Sequence, residues 1–313
     1  MGSVEGRVRT LCKEKSAVIL AHNYTLPEVQ DLADFVGDSL ELSLRASKVD
    51  ADIIVFCGVH FMAETAKILN PRCLVLMPDD RAGCPMADMV SVDELRHAKT
   101  EHPGCAVVCY VNTTASVKAE SDICCTSANA ADVIASIPPT QPILFVPDRN
   151  LGSWVSSVTG RDLISWNGYC PTHERILTEF VAKNRNLHPE ALVVAHPECT
   201  SQVRALADHV ASTSGILSFC RSSDSAEFII ATEQGLLHRL HVENPGKVFF
   251  EASPRMNCPN MKLATVEKIL WCLQDLSGAV TVDKETAGRA RGAIERMLTV
   301  VLRRDETATA ERT

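Results

Sequence analysis

The sequence predicts an α/β protein made of three similar domains, whose parallel sheets are related by pseudo-threefold symmetry around a central active site. Short apolar runs that end in Gly, Asn, Pro or Asp alternate with helix-like stretches, which is typical of parallel sheets. These runs fall into three sets of four. They begin at Ala17, Phe35, Ile53 and Leu74 in the first set, at Ala106, Ile123, Ile143 and Leu163 in the second, and at Ala191, His209, Phe228 and Val248 in the third.

A nearly constant offset relates the three sets. Residues 32–36 (LADFV) resemble residues 206–210 (LADHV), 174 positions later, and the second set follows the first after 86 to 88 residues. Chance similarity between parallel sheets is the alternative, but the offsets align polar and cysteine positions as well as apolar ones. We therefore predict domains at residues 1–102, 103–188 and 189–313, the last of which includes an amphipathic helix over 285–303 and a tail.

Composition and charge restrict the class of protein. Hydrophobic residues make up 46% and charged residues 22% of the 313, which indicates an ordinary globular chain without an apolar run long enough to span a membrane. The net charge of −8 argues against nucleic acid as a partner. No apolar stretch precedes Leu11, so we expect no secretory signal and a cytoplasmic location. The thirteen cysteines include no CxxC pair, and in a reducing compartment we expect free thiols or metal ligands.

Three of these cysteines occupy equivalent positions, one in each set. Cys84, Cys170 and Cys258 are related by the same offsets, and each is followed by proline in a turn-like segment. A pseudo-threefold arrangement would bring the three thiolates together, where they could hold zinc or an iron-sulfur cluster. Spacing alone does not separate these two possibilities, and buried structural cysteines are a third.

Hydroxyl residues also recur where a short strand precedes a helix. Ser39, Ser127 and Thr213 stand at equivalent positions of the three sets. A hydroxyl at a helix N-terminus can bind a carboxylate or phosphate, although simple capping of the helix is the alternative for each residue. Three such residues in register favour a shared anion site.

A third recurrent group follows the first strand of each set. These positions carry hydrogen-bond donors and candidates for general acid or base catalysis, near the carboxyl ends of strands where open parallel sheets bind ligands. They are His22 and Tyr24 in the first set, Tyr110 and Asn112 in the second, and His196 and Glu198 in the third.

The sequence resembles the quinolinate synthase family across residues 17–275. The resemblance lies in a combination of motifs that is specific to this family. The motifs are AHNY (21–24), GDSLEL (37–42), FCGVHFMAETA (56–66), AGC (82–84), MAD (86–88), YVNTTA (110–115), PDRNLG (147–152), WNGYC (166–170), HE (173–174), HPEC (196–199) and CPNMK (258–262).

The resemblance implies a triangular fold of three α/β domains and one 4Fe-4S cluster per chain. Cys84, Cys170 and Cys258 would hold the cluster and leave one iron without a protein ligand, as a Lewis acid. The family condenses iminoaspartate with dihydroxyacetone phosphate to quinolinate, phosphate and water, a transferase reaction of NAD biosynthesis. The implied partners are these two small molecules, together with functional coupling to an enzyme that produces iminoaspartate, and neither nucleic acid nor a membrane. Some members carry a C-terminal CxxC pair, which is absent here.

The same resemblance assigns roles to individual residues. The predicted catalytic residues are Tyr24, Tyr110, His196 and Glu198, and the predicted substrate-binding residues are His22, Ser39, Asn112, Ser127, His173 and Thr213.

Two other functions are compatible with three cysteine ligands. Another iron-sulfur hydro-lyase would explain the cysteines but would not need the repeated His, Tyr and Ser positions. A cluster-based redox sensor would need a segment that binds DNA or a partner, and no basic recognition element is evident.

Overall fold

The structure, a computed structural model, describes residues 3–310, with side chains up to residue 302. In this part of the chain the apolar runs form three four-stranded parallel sheets, which confirms the predicted α/β class and its three similar sheets. Every sheet has the same order: the first strand lies between the second and the third, and the fourth lies outside the third. The central strands are almost fully buried, as expected when helices cover both faces of a parallel sheet.

The first sheet spans residues 17–76. Its strands are β1 (Ala17–His22), β2 (Phe35–Gly37), β3 (Ile53–Cys57) and β4 (Leu74–Leu76), and the helices of this region are α1 (Val4–Glu14), α2 (Pro27–Leu32), α3 (Ser39–Lys48) and α4 (His60–Leu69).

The second sheet repeats this order over residues 106–165. Its strands are β5 (Ala106–Tyr110), β6 (Ile123–Cys125), β7 (Ile143–Val146) and β8 (Ile164–Ser165), and a 3-10 turn (Ala87–Met89) and the helices α5 (Val92–Glu101), α6 (Ala115–Ala119), α7 (Ala130–Ala135) and α8 (Arg149–Thr159) accompany them.

The third sheet spans residues 192–251, and the last two helices of the chain pack against elements of the other two sheets' regions. Helix α14 packs against α1, and α15 packs against α6, α7 and β6. The strands are β9 (Leu192–Ala195), β10 (His209–Val210), β11 (Glu227–Ala231) and β12 (Val248–Glu251), and the helices are α9 (Pro171–Glu174), α10 (Thr178–Leu187), α11 (Ser201–Arg204), α12 (Thr213–Ser222), α13 (Leu236–Glu243), a 3-10 turn (Pro259–Lys262), α14 (Val266–Asp275) and α15 (Lys284–Ala310).

One aspartate in each repeat ties the second strand to the first. It precedes the second strand, and its carboxylate accepts a hydrogen bond from a main-chain N–H of the first strand, fifteen residues earlier. Asp34 binds Ile19 N at 2.7 Å, Asp122 binds Val107 N at 2.8 Å and Asp208 binds Val193 N at 2.8 Å. The three aspartates are 88 and 174 residues apart, the same offsets that relate the predicted repeats.

By its contacts the chain divides into two compact units. One unit consists of Met1–Cys84 and Cys170–Thr281, and so contains the first and third sheets, and the other consists of Pro85–Tyr169 and Val282–Thr313. The limits predicted for three domains remain a prediction, as does the pseudo-threefold relation between them.

The end of the chain differs from the prediction in one respect. The helix expected over 285–303 is α15, and it continues to Ala310. The tail predicted after this helix is therefore helical as far as Ala310, and the last three residues of the chain lie outside its described part. None of the described helices is both long and apolar enough to cross a lipid bilayer.

Candidate active site

Strand order places a crevice at the carboxyl edge of each sheet. The second strand lies on one side of the first strand and the third strand lies on the other. The loops that follow the first and third strands therefore run in opposite directions, and open α/β sheets bind ligands between such loops. His22 ends β1 and Tyr24 follows it, and His196 and Glu198 directly follow β9. The predicted residues of the first and third repeats therefore lie at such crevices.

Two histidines have the same local geometry in these repeats. The Nδ1 atom of His22 accepts a hydrogen bond from the main-chain N–H of Tyr24 at 3.2 Å. The Nδ1 atom of His196 accepts the equivalent bond from Glu198 N at 3.3 Å. Because Nδ1 is an acceptor in both rings, the proton of each neutral imidazole is on Nε2.

Burial keeps both imidazoles neutral. Each ring is at most 4% exposed, and desolvation lowers the pKa of His22 and of His196 to about 3, although the charge of Glu198 opposes this. A proton added at Nδ1 would also replace the accepted hydrogen bond by two N–H groups facing each other. At neutral pH the two rings therefore act as Nε2–H donors and carry no charge.

A chain of hydrogen bonds joins Tyr24 to Glu198. The hydroxyl of Tyr24 lies 2.7 Å from Thr232 Oγ1, which lies 2.9 Å from His173 Nε2. The other ring nitrogen, His173 Nδ1, lies 2.7 Å from Glu198 Oε2. In the tautomer that donates from His173 Nδ1 to the carboxylate, Nε2 accepts from Thr232, and the threonine hydroxyl in turn accepts from Tyr24.

The same histidine approaches a predicted metal ligand. His173 Nδ1 lies 3.2 Å from Cys170 Sγ, and the ring of His173 stacks on that of His196 with centroids 4.7 Å apart. The ligand atoms of Cys170, His173 and Glu198 all lie within 4.8 Å of one another. Thiolate, imidazole and carboxylate are also ligands that zinc accepts, so this group is a candidate metal site in its own right.

The turns that carry the three predicted cysteine ligands are in contact. Asn260, two residues after Cys258, donates from its amide Nδ2 to the carbonyl of Gly83 at 2.7 Å, directly before Cys84. Burial raises the pKa of the Cys258 thiol, and one of the hydrogen bonds that oppose this effect involves the side chain of Thr172. Since Thr172 is two residues after Cys170, the three turns adjoin one another.

Exposure also distinguishes these cysteines from most of the others. None of the thirteen cysteines is in a disulfide, and Cys84, Cys170 and Cys258 are partly exposed, as is Cys105, whereas the other nine are buried. Cys170 directly precedes α9, and Cys258 directly precedes the 3-10 turn Pro259–Lys262. Three accessible thiols in adjoining turns are suited to bind a metal centre.

Ser39 and Thr213 are the first residues of their helices and do not cap them. The carboxylate of Asp38 caps α3, and the hydroxyl of Ser212 caps α12. Thr213 Oγ1 instead accepts a hydrogen bond from Asn23 Nδ2 at 3.2 Å. The capping alternative considered for Ser39 and Thr213 is therefore wrong, since the preceding residue caps in both cases.

The second repeat holds Tyr110, Asn112 and Ser127, which belong to the other compact unit. Tyr110 ends β5 and is 4% exposed. Asn112 Oδ1 is buried, and it has no hydrogen-bond partner among the described residues. The helix after Ser127 starts at Ala130, and Asn129 Oδ1, which accepts from Thr126 N at 2.7 Å, shapes the turn between them. The roles of these three residues remain predictions.

Thr232, Glu233 and Lys262 are the site residues that sequence reasoning missed. Thr232 and Glu233 directly follow β11, the third strand of its sheet, and both are fully buried. Their position past the carboxyl end of a strand next to the switch point is a signal that could have identified them. Lys262 ends the CPNMK motif, and nothing in its spacing indicated a contact with Tyr24.

The family model described as NadA, quinolinate synthetase A protein, matches residues 6–299 of this chain. A quinolinate synthase of Dehalococcoides mccartyi (strain CBDB1) is 53% identical over 298 residues, which cover 95% of this chain and 98% of the relative. Those of Thermodesulfovibrio yellowstonii and Geotalea uraniireducens are 54% and 52% identical over 295 and 297 residues, covering 94% and 95% of this chain and 97% of each relative. The match extends over nearly the whole length on both sides. The chain therefore belongs to the quinolinate synthase family.

Proposed function

We propose that this chain condenses iminoaspartate with dihydroxyacetone phosphate to form quinolinate, phosphate and water, and that it does so with a 4Fe-4S cluster bound to three cysteines. One structural observation carries the proposal: the turns of Cys84, Cys170 and Cys258 adjoin one another next to the Tyr24 to Glu198 hydrogen-bond chain. Family membership supports the reaction, because the relatives are quinolinate synthases.

The residues present fit a cluster with three thiolate ligands. Cys84, Cys170 and Cys258 are accessible, whereas most other thiols are buried in strands and helices. Each of the three cysteines is followed by a proline. Because proline has no main-chain N–H to donate, the chain does not continue as a central strand after the cysteine. When bound, the cluster would supply an iron without a protein thiolate, which acts as a Lewis acid toward the carboxylate and nitrogen of the substrate.

The hydrogen-bond chain from Tyr24 to Glu198 suits proton transfer to the substrate. Formation of the pyridine ring requires several such transfers. Burial, reinforced by the charge of Glu198, raises the pKa of Tyr24 well above its usual value, so the phenol is protonated at rest and can act as an acid. When Tyr24 instead takes a proton from the substrate, its own hydroxyl proton can pass through Thr232 to His173 Nε2, while the proton on His173 Nδ1 moves to the Glu198 carboxylate.

Neutral donors and helix N-termini would hold the anionic groups of the substrates. His22 and His196 present Nε2–H donors, and their imidazole rings stay uncharged near pH 7. Ser39 and Thr213 add hydroxyls at the first positions of α3 and α12, where the helix dipole favours a carboxylate or phosphate. We propose the same function for Ser127 and Asn112, and an acid or base function for Tyr110. The buried, unpartnered Asn112 Oδ1 supports a role in ligand binding, since such an atom is costly unless a ligand satisfies it.

The cellular setting follows from the chemistry. The C=N bond of an imine reacts with water, so we propose functional coupling to the enzyme that produces iminoaspartate. We also propose a cytoplasmic location in NAD biosynthesis. The net charge of −8 supports small-molecule partners over nucleic acid.

Anaerobic purification tests the proposal, followed by assays for iron, sulfide and quinolinate formation. We expect about four irons per chain and quinolinate when both substrates are supplied. Serine substitution of Cys84, Cys170 or Cys258 should abolish cluster binding. Cys105→Ser is the matched control, because this thiol is also partly exposed but lies directly before β5, and it should retain the cluster.

Each competing function gives a different result. A hydro-lyase of another kind would bind the cluster but form no pyridine product. A zinc protein would contain zinc and no sulfide, and substitution of His173 or Glu198 would then release the metal as readily as substitution of Cys170. Retention of a full cluster by any of the three cysteine variants would refute the ligand assignment.

A further inference from the structure

Glu233 is a fully buried carboxylate that holds the turn of Cys258. It directly follows β11 and has no exposed surface. Its Oε1 accepts from the main-chain N–H of Cys258 at 3.0 Å, and its Oε2 accepts from Gly235 N at 2.7 Å. Each oxygen of the carboxylate thus fixes a main-chain group, one of which belongs to a predicted cluster ligand.

Lys262 connects the same carboxylate to the loop that carries Tyr24. Its Nζ lies 3.0 Å from Glu233 Oε1 and also donates to the carbonyl of Tyr24. Packing around this contact is tight, because a side chain at Gly235 would place its Cβ 2.8 Å from both Lys262 Nζ and the main chain of Tyr24. The ion pair therefore joins three loops in a space that admits no further atom.

The Glu233 side chain is 1% exposed and that of Lys262 is 17% exposed, and an ion pair largely removed from water is a poor means of stabilising a fold. Removing both charges from water costs about as much as their mutual attraction returns, and apolar residues of similar volume are often equally stabilising. What the pair provides here is geometry, since it makes directed hydrogen bonds to Cys258 N and to Tyr24 O. The two groups belong to separate segments of the chain, 234 residues apart.

We propose that Glu233 and Lys262 are positioning residues that set the orientation of the Cys258 thiolate and the Tyr24 phenol together. This inference rests on the proposed function, because Cys258 is taken as a cluster ligand and Tyr24 as the proton donor. Neither Glu233 nor Lys262 needs to touch the substrate. Their effect is to keep a metal ligand and an acid group at a fixed separation while the substrate is bound.

Four variants test the proposal: Glu233→Gln, Lys262→Met, the double variant with both changes, and Arg185→Met. The single Lys262→Met change leaves a buried carboxylate without its cation and should lower the melting temperature. The double variant removes both charges and should recover much of that loss. Arg185→Met is the control for loss of an ion pair as such, since it removes a more exposed pair, between α10 and Asp208 at 2.6 Å, that involves none of the cysteine turns.

We expect the double variant to recover the fold but not the function. Displacement of a catalytic group by about 1 Å costs on the order of 100-fold in rate, so kcat for quinolinate should stay about 100-fold low. The electron paramagnetic resonance spectrum of the reduced cluster should change, because cluster properties respond to hydrogen bonds and ligand orientation at the sulfurs. Arg185→Met should change neither the rate nor the spectrum.

Recovery of both rate and spectrum in the double variant would overturn the proposal and leave the pair with a purely structural role. A third measurement separates this proposal from the function it rests on. In the cluster-free chain, alkylation of Cys258 relative to Cys84 should become faster in Glu233→Gln, because the Cys258 main chain loses its tether. An unchanged ratio contradicts the positioning role whether or not the wild-type chain forms quinolinate, and absence of quinolinate from the wild type refutes only the proposed function.

Discussion

The neutral state of His22 and His196 makes a quantitative prediction about pH. Both rings have a pKa of about 3 in the folded chain, against 6.5 for an unperturbed histidine. Between these values the unfolded chain binds protons that the folded chain does not. The free energy of unfolding contributed by each ring is therefore fully present above pH 6.5, and it is lost as the pH falls from 6.5 toward 3.

The size of the effect follows from proton uptake by the unfolded state. Between pH 7 and pH 5 a histidine with an unfolded pKa of 6.5 gains most of a proton, which lowers the free energy of unfolding by about 2 kcal/mol per ring. The two rings together give roughly 4 kcal/mol, a large part of the usual stability of a domain. Both rings are at most 4% exposed, so solvent screening reduces this figure little.

The assay compares the wild type with His22→Asn and His196→Asn. An asparagine Oδ1 can replace Nδ1 as the acceptor of the main-chain N–H but does not titrate in this range. Urea unfolding under anaerobic conditions, followed by tryptophan fluorescence at pH 7 and pH 5, gives the free energy of unfolding of each protein. Each variant should lose about 2 kcal/mol less than the wild type between these pH values. Equal losses in all three proteins would refute the inference that the rings stay neutral.

Two further pairs of substitutions separate catalytic from structural roles. Thr232→Val removes the hydroxyl between Tyr24 and His173, and we expect the rate of quinolinate formation to fall by about 100-fold or more, whereas Thr232→Ser retains most of it; an equal loss in both would exclude the hydroxyl as a proton carrier. Ser39→Ala should raise KM without lowering the melting temperature, because Asp38 caps the helix. Asp38→Ala should instead cost about 1 kcal/mol of stability, and the reverse pattern would contradict this division of roles.

Much of the fold was predictable because its signals are local and repeated. Apolar runs bounded by Gly, Pro and Asp predict parallel strands, and the offset of 174 residues correctly pairs His22 with His196, whose Nδ1 atoms accept equivalent hydrogen bonds. The offset also relates Asp34 to Asp208. The equivalent hydrogen bonds that the two carboxylates accept from main-chain N–H groups were not predicted. An aspartate before a strand has many possible partners, and only the folded chain selects one.

The candidate site was predictable where residues recur and less so where they do not. The cysteines of the three turns were found by register, and the contact between Asn260 and Gly83 connects two of these turns. The positions equivalent to Thr232 in the first and second repeats carry no hydroxyl side chain, so comparison of the repeats could not identify it. The link from Lys262 to Tyr24 depends on packing between distant segments, which no local pattern encodes.

The division of the chain into two interleaved units has a consequence for its biosynthesis. The unit that contains Cys84, Cys170 and Cys258 is made of two segments, and its second segment ends at Thr281. At ribosomal rates of about 5 to 20 residues per second, roughly 10 to 40 s separate the synthesis of Cys84 from the completion of this unit. During that time the early cysteines are in a nascent chain whose partner turns do not yet exist. The cluster proposed for these cysteines would therefore be inserted only after Cys258 has been synthesised, and cells that overproduce this chain should accumulate cluster-free protein unless the supply of iron and sulfide keeps pace.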